Sequence, residues 1–456
     1  MSSTAASAGR TPPAGRTPPA GRRAETVWDR VGIPRPLLFG FVGVLIFMIG
    51  DGVESGFIAP FIEGNGAGSE VRASYVITAY GVTVMLASWL SGALSELWGP
   101  RRVMQMGLAI WIVFDILFLT LGAAQDNYTL MLVFYGLRGF GYPLFAFSFL
   151  VWVTATAPVA RLGAAVGWFY FAFTGGLPTL GSLTASVTNP LFGKFGTLWV
   201  ALALIAIGGA FCLLGVRERT GYSRLAPPGV KPVQSLARSL SIAWTNPKVA
   251  VGCVVRVINT APQFGLWVIL PAFFTDEMGF SDGDWLRLLS IMFATNIFFN
   301  LLFGVVSDRI GWRTTIGWFG AVGCALSVLA LYFVPKLLTD DYWVAVGVGM
   351  VYGATLAGFV PISALMPSLA PENKGGAMAL LNLGAGGAAF VGPAIVSLFL
   401  GPLGRDGVVL IFAGLYVVAA VLTLFLKLPR ASEEAIVQGK SLQEAAAEPV
   451  AARATT

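Results

Sequence analysis

The chain of 456 residues contains no histidine, only three cysteines and few charged residues, which make up 11% of the sequence. Soluble proteins contain about 25% charged residues, so this composition excludes a soluble enzyme. Cys212, Cys253 and Cys324 each fall within an apolar run, which indicates free, buried thiols rather than a disulfide framework. Without histidine or clustered cysteine the sequence has no metal-ligand pattern. We therefore expect no enzymatic activity, no cofactor and no metal site.

Apolar sequence is what the chain has in excess, because hydrophobic residues make up 56% of it. Apolar runs longer than about 18 residues are typical of transmembrane helices, and none of the runs alternates with the period of two that a membrane β-barrel requires. We predict an all-α integral membrane protein whose twelve transmembrane helices contact the lipid bilayer. The predicted spans are residues 37–62, 71–95, 103–123, 128–153, 161–187, 195–216, 249–274, 284–306, 313–335, 342–367, 375–400 and 407–428.

Lysine and arginine are distributed unevenly between the two sets of loops. With both termini in the cytoplasm, most of the 29 basic residues fall in the tails and the cytoplasmic loops, as they do in other membrane proteins. We therefore predict a multi-pass protein of the plasma membrane with both termini cytoplasmic. The same bias accounts for the net charge of +6, so we expect no nucleic-acid partner.

The apolar runs divide the chain into two halves of six spans. The first half covers residues 37–216 and the second covers 249–428, with a basic cytoplasmic loop at 217–248 between them. Residues 1–36 begin with repeats rich in Pro, Gly and Arg, a composition that does not form a packed core. We predict a disordered cytoplasmic tail there, and a second cytoplasmic tail at residues 429–456.

A short loop pattern occurs once in each half, with Gly, an acid, Gly and Arg at identical spacing. The first copy consists of Gly92, Glu96, Gly99 and Arg101, and the second consists of Gly304, Asp308, Arg309, Gly311 and Arg313. The glycines permit a tight turn and close helix approach, while the acid can cap a helix or pair with arginine. Repeated halves with a binding site between them are the architecture of many secondary transporters. We therefore predict that these two loops control gating at the cytoplasmic face.

The repeated loop resembles the signature of the major facilitator superfamily, although the first copy departs from it by having Glu96 for Asp and Leu97 for Arg. Longer stretches are similar to the polyol permease family, the ribitol and D-arabinitol transporters. These stretches are MIGDGVESGFIAPFI at 48–62, FYGLRGFGYPLFAFSFLV at 134–151, GTLWVAL at 196–202 and VVRVINTAPQFG at 254–265.

The resemblance implies both a fold and a function. It implies the major facilitator fold, in which two pseudo-symmetric six-helix halves operate by alternating access. It also implies a symporter that imports a small neutral polyol, such as the pentitols ribitol and D-arabinitol, together with protons.

Five charged residues lie in the interior of the predicted spans, away from the span ends: Asp51, Glu54, Asp115, Arg138 and Arg256. Asp51 and Glu54 are one helical turn apart, and two carboxylates so close do not both ionise cheaply in a low dielectric. We therefore predict that one of them carries the coupled proton and that Arg138 controls its release. In sugar-transporting relatives an acid on span one and an arginine on span four control coupling, and Asp51 and Arg138 occupy the matching places. The alternative is an ion pair with a structural role only.

Asp115 is expected to stand alone in span three. Its neighbours in the sequence are Phe114 and Ile116, and no arginine partner is evident from spacing. Its role stays open at this point.

Polar side chains on several spans are suited to a sugar alcohol, because amides both donate and accept hydrogen bonds, as hydroxyls do. Arg256, Asn259 and Gln263 share one face of span seven. The alternative for each amide is an interhelical hydrogen bond. The complete set of predicted substrate residues is Arg256, Asn259, Gln263, Asn296, Asn300, Asn382, Tyr142, Trp168 and Tyr170.

Two other functions remain open on the sequence. An exporter of drugs or metabolites from the same superfamily would favour a cavity with aromatic and acidic residues and few amides, so the amide-rich face argues against it. A transporter-like membrane sensor would bind the substrate without accumulating it. For any of these functions we expect a monomer.

Overall fold

The computed structural model describes residues 33, 35–157, 162–216, 218–225, 240–338, 341–370 and 373–428. The predicted tails, apart from residues 33, 35 and 36, lie outside these residues, as does the central part of the 217–248 loop. Every regular element in the described residues is helical and none is a strand, so the all-α prediction is confirmed.

Fifteen α-helices are numbered here in chain order. Their bounds are α1 Leu38–Gly52, α2 Ile58–Ile62, α3 Glu70–Trp98, α4 Pro100–Leu117, α5 Tyr128–Arg138, α6 Gly141–Thr156, α7 Leu162–Thr174, α8 Gly181–Ala210, α9 Pro247–Ala272, α10 Asp282–Ile310, α11 Trp312–Thr314, α12 Gly323–Leu338, α13 Tyr342–Leu356, α14 Ile362–Leu369 and α15 Lys374–Thr423.

Shorter helical turns join or extend several of these helices. Widened π-helical turns, which are common near functional sites, occupy Glu63–Ala67, Phe118–Gly122, Gly175–Leu180, Phe211–Gly215, Phe273–Glu277 and Thr315–Val322. Tighter 3₁₀ turns occupy Arg35–Leu37, Ala123–Gln125, Arg219–Tyr222 and Ala357–Phe359.

Ten continuous helical runs in the described residues are long and apolar enough to cross a bilayer. Two of them, Ala165–Gly215 and Gly376–Thr423, are 51 and 48 residues long. Since one crossing takes about 20 residues, each of these two runs is long enough for two crossings. Each is also interrupted by a glycine with positive φ, Gly193 at 70° and Gly404 at 65°, where one helix ends and the next begins. The arrangement is consistent with twelve crossings.

Helix α15 connects the two halves, because it packs against both α9 and α3. The approach to α3 is so close that a methyl group at Gly81 would overlap the backbone of Ala389 and Phe390. Small residues permit such close packing in membranes, where helix association depends on van der Waals contact.

The two halves are tied together on the face that is predicted to be external. Ser74 and Ser397 share a hydrogen bond of 2.9 Å, and Lys194 lies 3.0 Å from Asp282. Arg405 of the second half donates to Glu70 of the first half at 2.9 Å and also contacts Glu277. These contacts close the bundle on this face.

Candidate functional site

A fully buried arginine lies at the centre of the first half. Arg138 is the last residue of α5, and its side chain is 0% exposed. Its Nη1 donates to Glu54 Oε2 at 2.9 Å and to Asp115 Oδ1 at 2.7 Å, and its Nη2 donates to Glu54 Oε1. Aromatic rings surround the guanidinium, with the Tyr135 centroid at 4.3 Å and the Trp111 centroid at 4.6 Å. The site is a desolvated ion-pair network in which charge-assisted hydrogen bonds are strong.

The local chain path explains why Glu54 faces Arg138. Helix α1 ends at Gly52 and α2 begins at Ile58, so Glu54 lies in an interruption of the first span. Its carboxylate also accepts a hydrogen bond of 2.8 Å from the hydroxyl of Tyr135. Glu54 is thereby fixed by two side chains from α5.

Asp51 has a different partner, although it is only three residues away. It is buried, and its Oδ1 accepts a hydrogen bond of 2.8 Å from the indole nitrogen of Trp111. Within the part of the chain that the structure describes, Asp51 forms no ion pair. The expected pairing of Asp51 with Arg138 is therefore not found, and Glu54 occupies that place, because the interruption after Gly52 turns the two carboxyl groups toward different neighbours.

The expectation that Asp115 stands alone is wrong. Asp115 is on α4, and its Oδ1 forms an ion pair with Arg138 because α4 and α5 pack side by side. Its second oxygen is buried and has no hydrogen-bond partner among the described residues. Two carboxyl groups thus pair with one arginine, and the buried carboxyl group of Asp51 is close enough to interact with them electrostatically. Full ionisation of all three would leave unpaired negative charge in a low dielectric, which is costly. The cluster is suited to holding a proton.

A cavity of about 60 Å³ lies between the two halves and beside this cluster. It has room for about two water molecules and is smaller than the 300–1,000 Å³ that is usual for small-molecule sites, so the structure is closed around it. Its polar and aromatic lining comes from both halves: Asp51, Glu54, Ser55, Tyr80, Tyr135, Tyr142, Phe264 and Trp267.

Of the predicted substrate residues, only Tyr142 lines this cavity. Sequence reasoning missed Tyr80, Tyr135, Phe264 and Trp267 as lining residues. A signal existed for Trp267 alone, since it continues the face of Asn259 and Gln263 at helical spacing.

The polar face predicted for span seven is present on α9 as one continuous stripe of Arg256, Asn259, Gln263 and Trp267. Asn259 and Gln263 are 7% and 8% exposed. Three atoms of the stripe are buried without a hydrogen-bond partner in the described residues, namely Arg256 Nη1, Asn259 Oδ1 and Trp267 Nε1. Buried polar atoms are usually satisfied, so the stripe has hydrogen-bonding capacity that the described chain does not use.

The remaining predicted substrate residues are dispersed. Asn296 donates to the backbone oxygen of Gly353 at 2.9 Å, and Asn300 donates to Asn296 at 3.1 Å. Asn296 therefore joins α10 to α13, which matches the structural alternative for it, whereas the bond of Asn300 lies within α10. Trp168 and Asn382 are half-buried, and Tyr170 is 38% exposed.

The two repeated loops have the same backbone geometry. Gly99 and Gly311 have φ values of 89° and 93°, which only glycine adopts readily. Each closes the preceding helix with a backbone hydrogen bond, to Ser95 at 3.0 Å and to Ser307 at 2.9 Å. The internal repeat read from the sequence is therefore a structural repeat.

The side chains of the two loops have different surroundings. Arg101 donates to the backbone oxygen of Leu213, and its guanidinium lies 5.0 Å from the ring centroid of Tyr222. The backbone oxygen of Glu96 accepts a hydrogen bond from Leu225 at 2.8 Å. The start of the 217–248 loop is thus packed against the first copy.

In the second copy Arg309 and Arg313 are exposed, and the side chain of Asp308 lies outside the described residues. Gly92 and Gly304 have open space where a Cβ would project. The gating role of both loops stays a prediction.

Two pseudo-symmetric halves, a repeated glycine turn and a cavity between the halves define the architecture. The sequence pattern of the Major Facilitator Superfamily matches residues 40–286 and 252–453. This chain belongs to the Major Facilitator Superfamily.

Curated relatives in this family cover nearly the whole chain. The chain is 43% identical to the alpha-ketoglutarate permease of Bacillus subtilis, over 92% of this chain and 95% of that one. It is 37% identical to the D-arabinitol transporter of Klebsiella pneumoniae, over 87% of this chain and 93% of that one. The ribitol transporter of the same organism is also 37% identical, over 85% of this chain and 91% of that one.

These relatives confirm the resemblance to the ribitol and D-arabinitol transporters, and they show that the chain is a multi-pass membrane transporter rather than an enzyme. Their names include both a polyol and a dicarboxylate as transported molecules.

Solved structures share the fold. A nucleoside transporter superposes with a TM-score of 0.68 at 14% identity, over 86% of this chain and 100% of that one. A D-xylose-proton symporter superposes with a TM-score of 0.65 at 17% identity, over 86% and 97% of the two chains. At this identity the likeness establishes the major facilitator fold alone.

Proposed function

We propose that this transporter imports a sugar alcohol, a pentitol such as ribitol or D-arabinitol, by proton symport with alternating access. It acts as a monomer in the plasma membrane with both termini in the cytoplasm. The observation that carries the proposal is that Asp51 and Glu54 line the same cavity as Tyr142 and Trp267. This shared lining supports a proton site next to a substrate site, an arrangement that coupling requires.

The proton is carried by Asp51 or Glu54, and Arg138 governs its release. When Glu54 is ionised, Arg138 compensates its charge, and when Glu54 is protonated, Arg138 retains Asp115 as a partner. Arg138 therefore remains paired in both states, so the cost of an isolated buried cation is avoided.

The substrate class is supported by the lining of the cavity and by the relatives. Aromatic faces from Tyr142, Phe264 and Trp267 can cover the C–H surface of a polyol, while the unused atoms of Asn259 and Trp267 can bond its hydroxyls. Two relatives named for pentitols cover most of the chain at 37% identity.

The test is uptake of labelled ribitol and D-arabinitol into vesicles that contain the purified protein. An imposed proton gradient, acidic on the side from which substrate enters, should drive accumulation above equilibrium, and a protonophore should abolish it. Accumulation that requires the opposite gradient would indicate the exporter alternative. Saturable binding without any flux would indicate a sensor.

A dicarboxylate is the second candidate substrate, because Arg256 has no acidic partner among the described residues and one relative is named for alpha-ketoglutarate. The same vesicles test it, with labelled alpha-ketoglutarate in place of the pentitol. Accumulation of alpha-ketoglutarate but of neither pentitol would overturn the polyol assignment and leave proton symport in place.

A further inference from the structure

Arg256 is a cation inside a span of the second half that the described chain does not neutralise. It lies nine residues after the start of α9, which places its Cα about 13 Å along the helix, on the N-terminal side of the middle of the 31-residue run Pro247–Glu277. Its Nη1 is buried and has no hydrogen-bond partner, and it forms no ion pair with any described residue. An arginine at this depth is unfavourable unless it meets an anion or water.

The position of Arg256 is fixed by its packing. Its aliphatic stem lies against Gly384 of α15, where an added Cβ would be 3.2 Å from both Cβ and Cγ of Arg256. Tyr170, on the first half, is close enough to interact with it electrostatically. The guanidinium therefore lies where the two halves face each other and is not free to leave that region.

Arg256 is also the first residue of the polar stripe on α9, in which three buried atoms have no hydrogen-bond partner among the described residues. From Arg256 to Gln263 the helix rises about 10 Å, and the stripe then reaches the cavity at Trp267. Along this face of α9 a cationic side chain is thus followed by two amides and then by an indole N–H donor. Amides and the indole suit hydroxyl groups, whereas a guanidinium fits the two oxygens of a carboxylate.

We propose that Arg256 binds a carboxylate, so that the transporter also takes short hydroxylated carboxylic acids and binds each of them more tightly than the uncharged polyol of the same chain length. The carboxylate occupies Arg256 and the hydroxyls contact Asn259 and Gln263. The inference rests on the proposed function, because it assumes transport through this cavity, and it extends the substrate class of the same site.

Matched pairs of competitors test the proposal, because each pair differs in one terminal group. Ribonate is compared with ribitol, and D-arabinonate with D-arabinitol, as competitors of labelled pentitol binding to the purified protein. Because a hydrogen bond to a charged group is stronger than a neutral one, each acid should compete at a concentration about tenfold lower than its alcohol. Equal or weaker competition by both acids would overturn the proposal, and this measurement needs no variant.

Arg256→Gln then assigns the preference to this residue, since glutamine keeps amide donors and removes the charge. The ratio of alcohol to acid inhibition constants should fall about tenfold, toward one. Arg256→Lys keeps the charge and should retain part of the ratio, whereas Arg287→Gln, which removes an exposed arginine, should leave the ratio as it is. An unchanged ratio in Arg256→Gln would overturn the proposal.

Failure of this inference is distinct from failure of the proposed function. Competition by the pentitols but not by the acids would reject only the carboxylate site. No competition and no proton-driven uptake of either class would reject the proposed function itself.

Discussion

Two arginines lie within the membrane spans, one in each half, and their surroundings are opposite. Arg138 is fully buried, and two carboxylates and several aromatic rings contact it. Arg256 is half-buried, and no acid among the described residues contacts it. Since a charge at the centre of a span costs about 2.5–3.5 kcal/mol, both require compensation. The first half supplies it from its own side chains, and we propose that the second half receives it from a ligand.

The internal repeat allows equivalent positions in the two halves to be compared directly. A Tyr-Gly pair recurs at Tyr135 in α5 and Tyr352 in α13, and the residue three positions later is Arg138 in the first half but Thr355 in the second. Tyr135 donates to Glu54, whereas Tyr352 bonds the hydroxyl of Tyr416 at 3.0 Å. Equivalent positions thus serve a charged network in one half and a neutral one in the other, which fits proton handling in the first half and substrate binding in the second.

The largest expected effect is on stability and separates the two arginines directly. Arg138→Gln leaves Glu54 and Asp115 buried without their partner, which should destabilise the protein by about 3–5 kcal/mol. Arg256→Gln removes no ion pair and should change stability by less than about 1 kcal/mol. Thermal unfolding of the purified variants in detergent measures the difference. Equal destabilisation by the two substitutions would show that the contrast between the two halves has no energetic basis.

The next effect is on coupling and is confined to the first half. Asp51→Asn or Glu54→Gln should abolish uphill accumulation driven by a proton gradient, while exchange of labelled for unlabelled substrate continues, because exchange does not require the proton to be reloaded. Asp284→Asn neutralises an exposed acid and is the matched control. If the double variant Asp51→Asn/Glu54→Gln still accumulates substrate against its gradient, Asp115 becomes the remaining candidate for the carrier.

The architecture was predictable from the sequence, whereas the partners of the charged residues were not. Apolar runs and the repeated Gly99 and Gly311 loops depend on local composition and backbone preference, and both are present in the structure. Spacing placed Asp51 and Glu54 on one helical face, but the chain leaves the helix after Gly52. Helical periodicity does not apply across such a break.

The role of Asp115 shows a second limit of sequence reasoning. Its pairing with Arg138 depends on how α4 and α5 pack and on their rotation about their own axes, which one sequence does not encode as a local pattern. The same holds for Tyr80 and Phe264, which come from different halves and meet at one cavity. Residues that one helix face brings together, such as Asn259 and Gln263, could be predicted.

The smallest expected effect concerns single hydrogen bonds on the α9 stripe. Asn259→Ala or Gln263→Ala removes one amide that we propose contacts the substrate, and should weaken substrate binding by about 1 kcal/mol, or about fivefold in the dissociation constant. Gln105→Ala removes an exposed amide on α4 that bonds Tyr222, and is the matched control because it lies far from the stripe along the chain. Binding of labelled substrate to the purified variants gives the constants. If both α9 variants bind as the control does, the two amides join helices as Asn296 does, and substrate recognition in the second half depends on Arg256 and Trp267 instead.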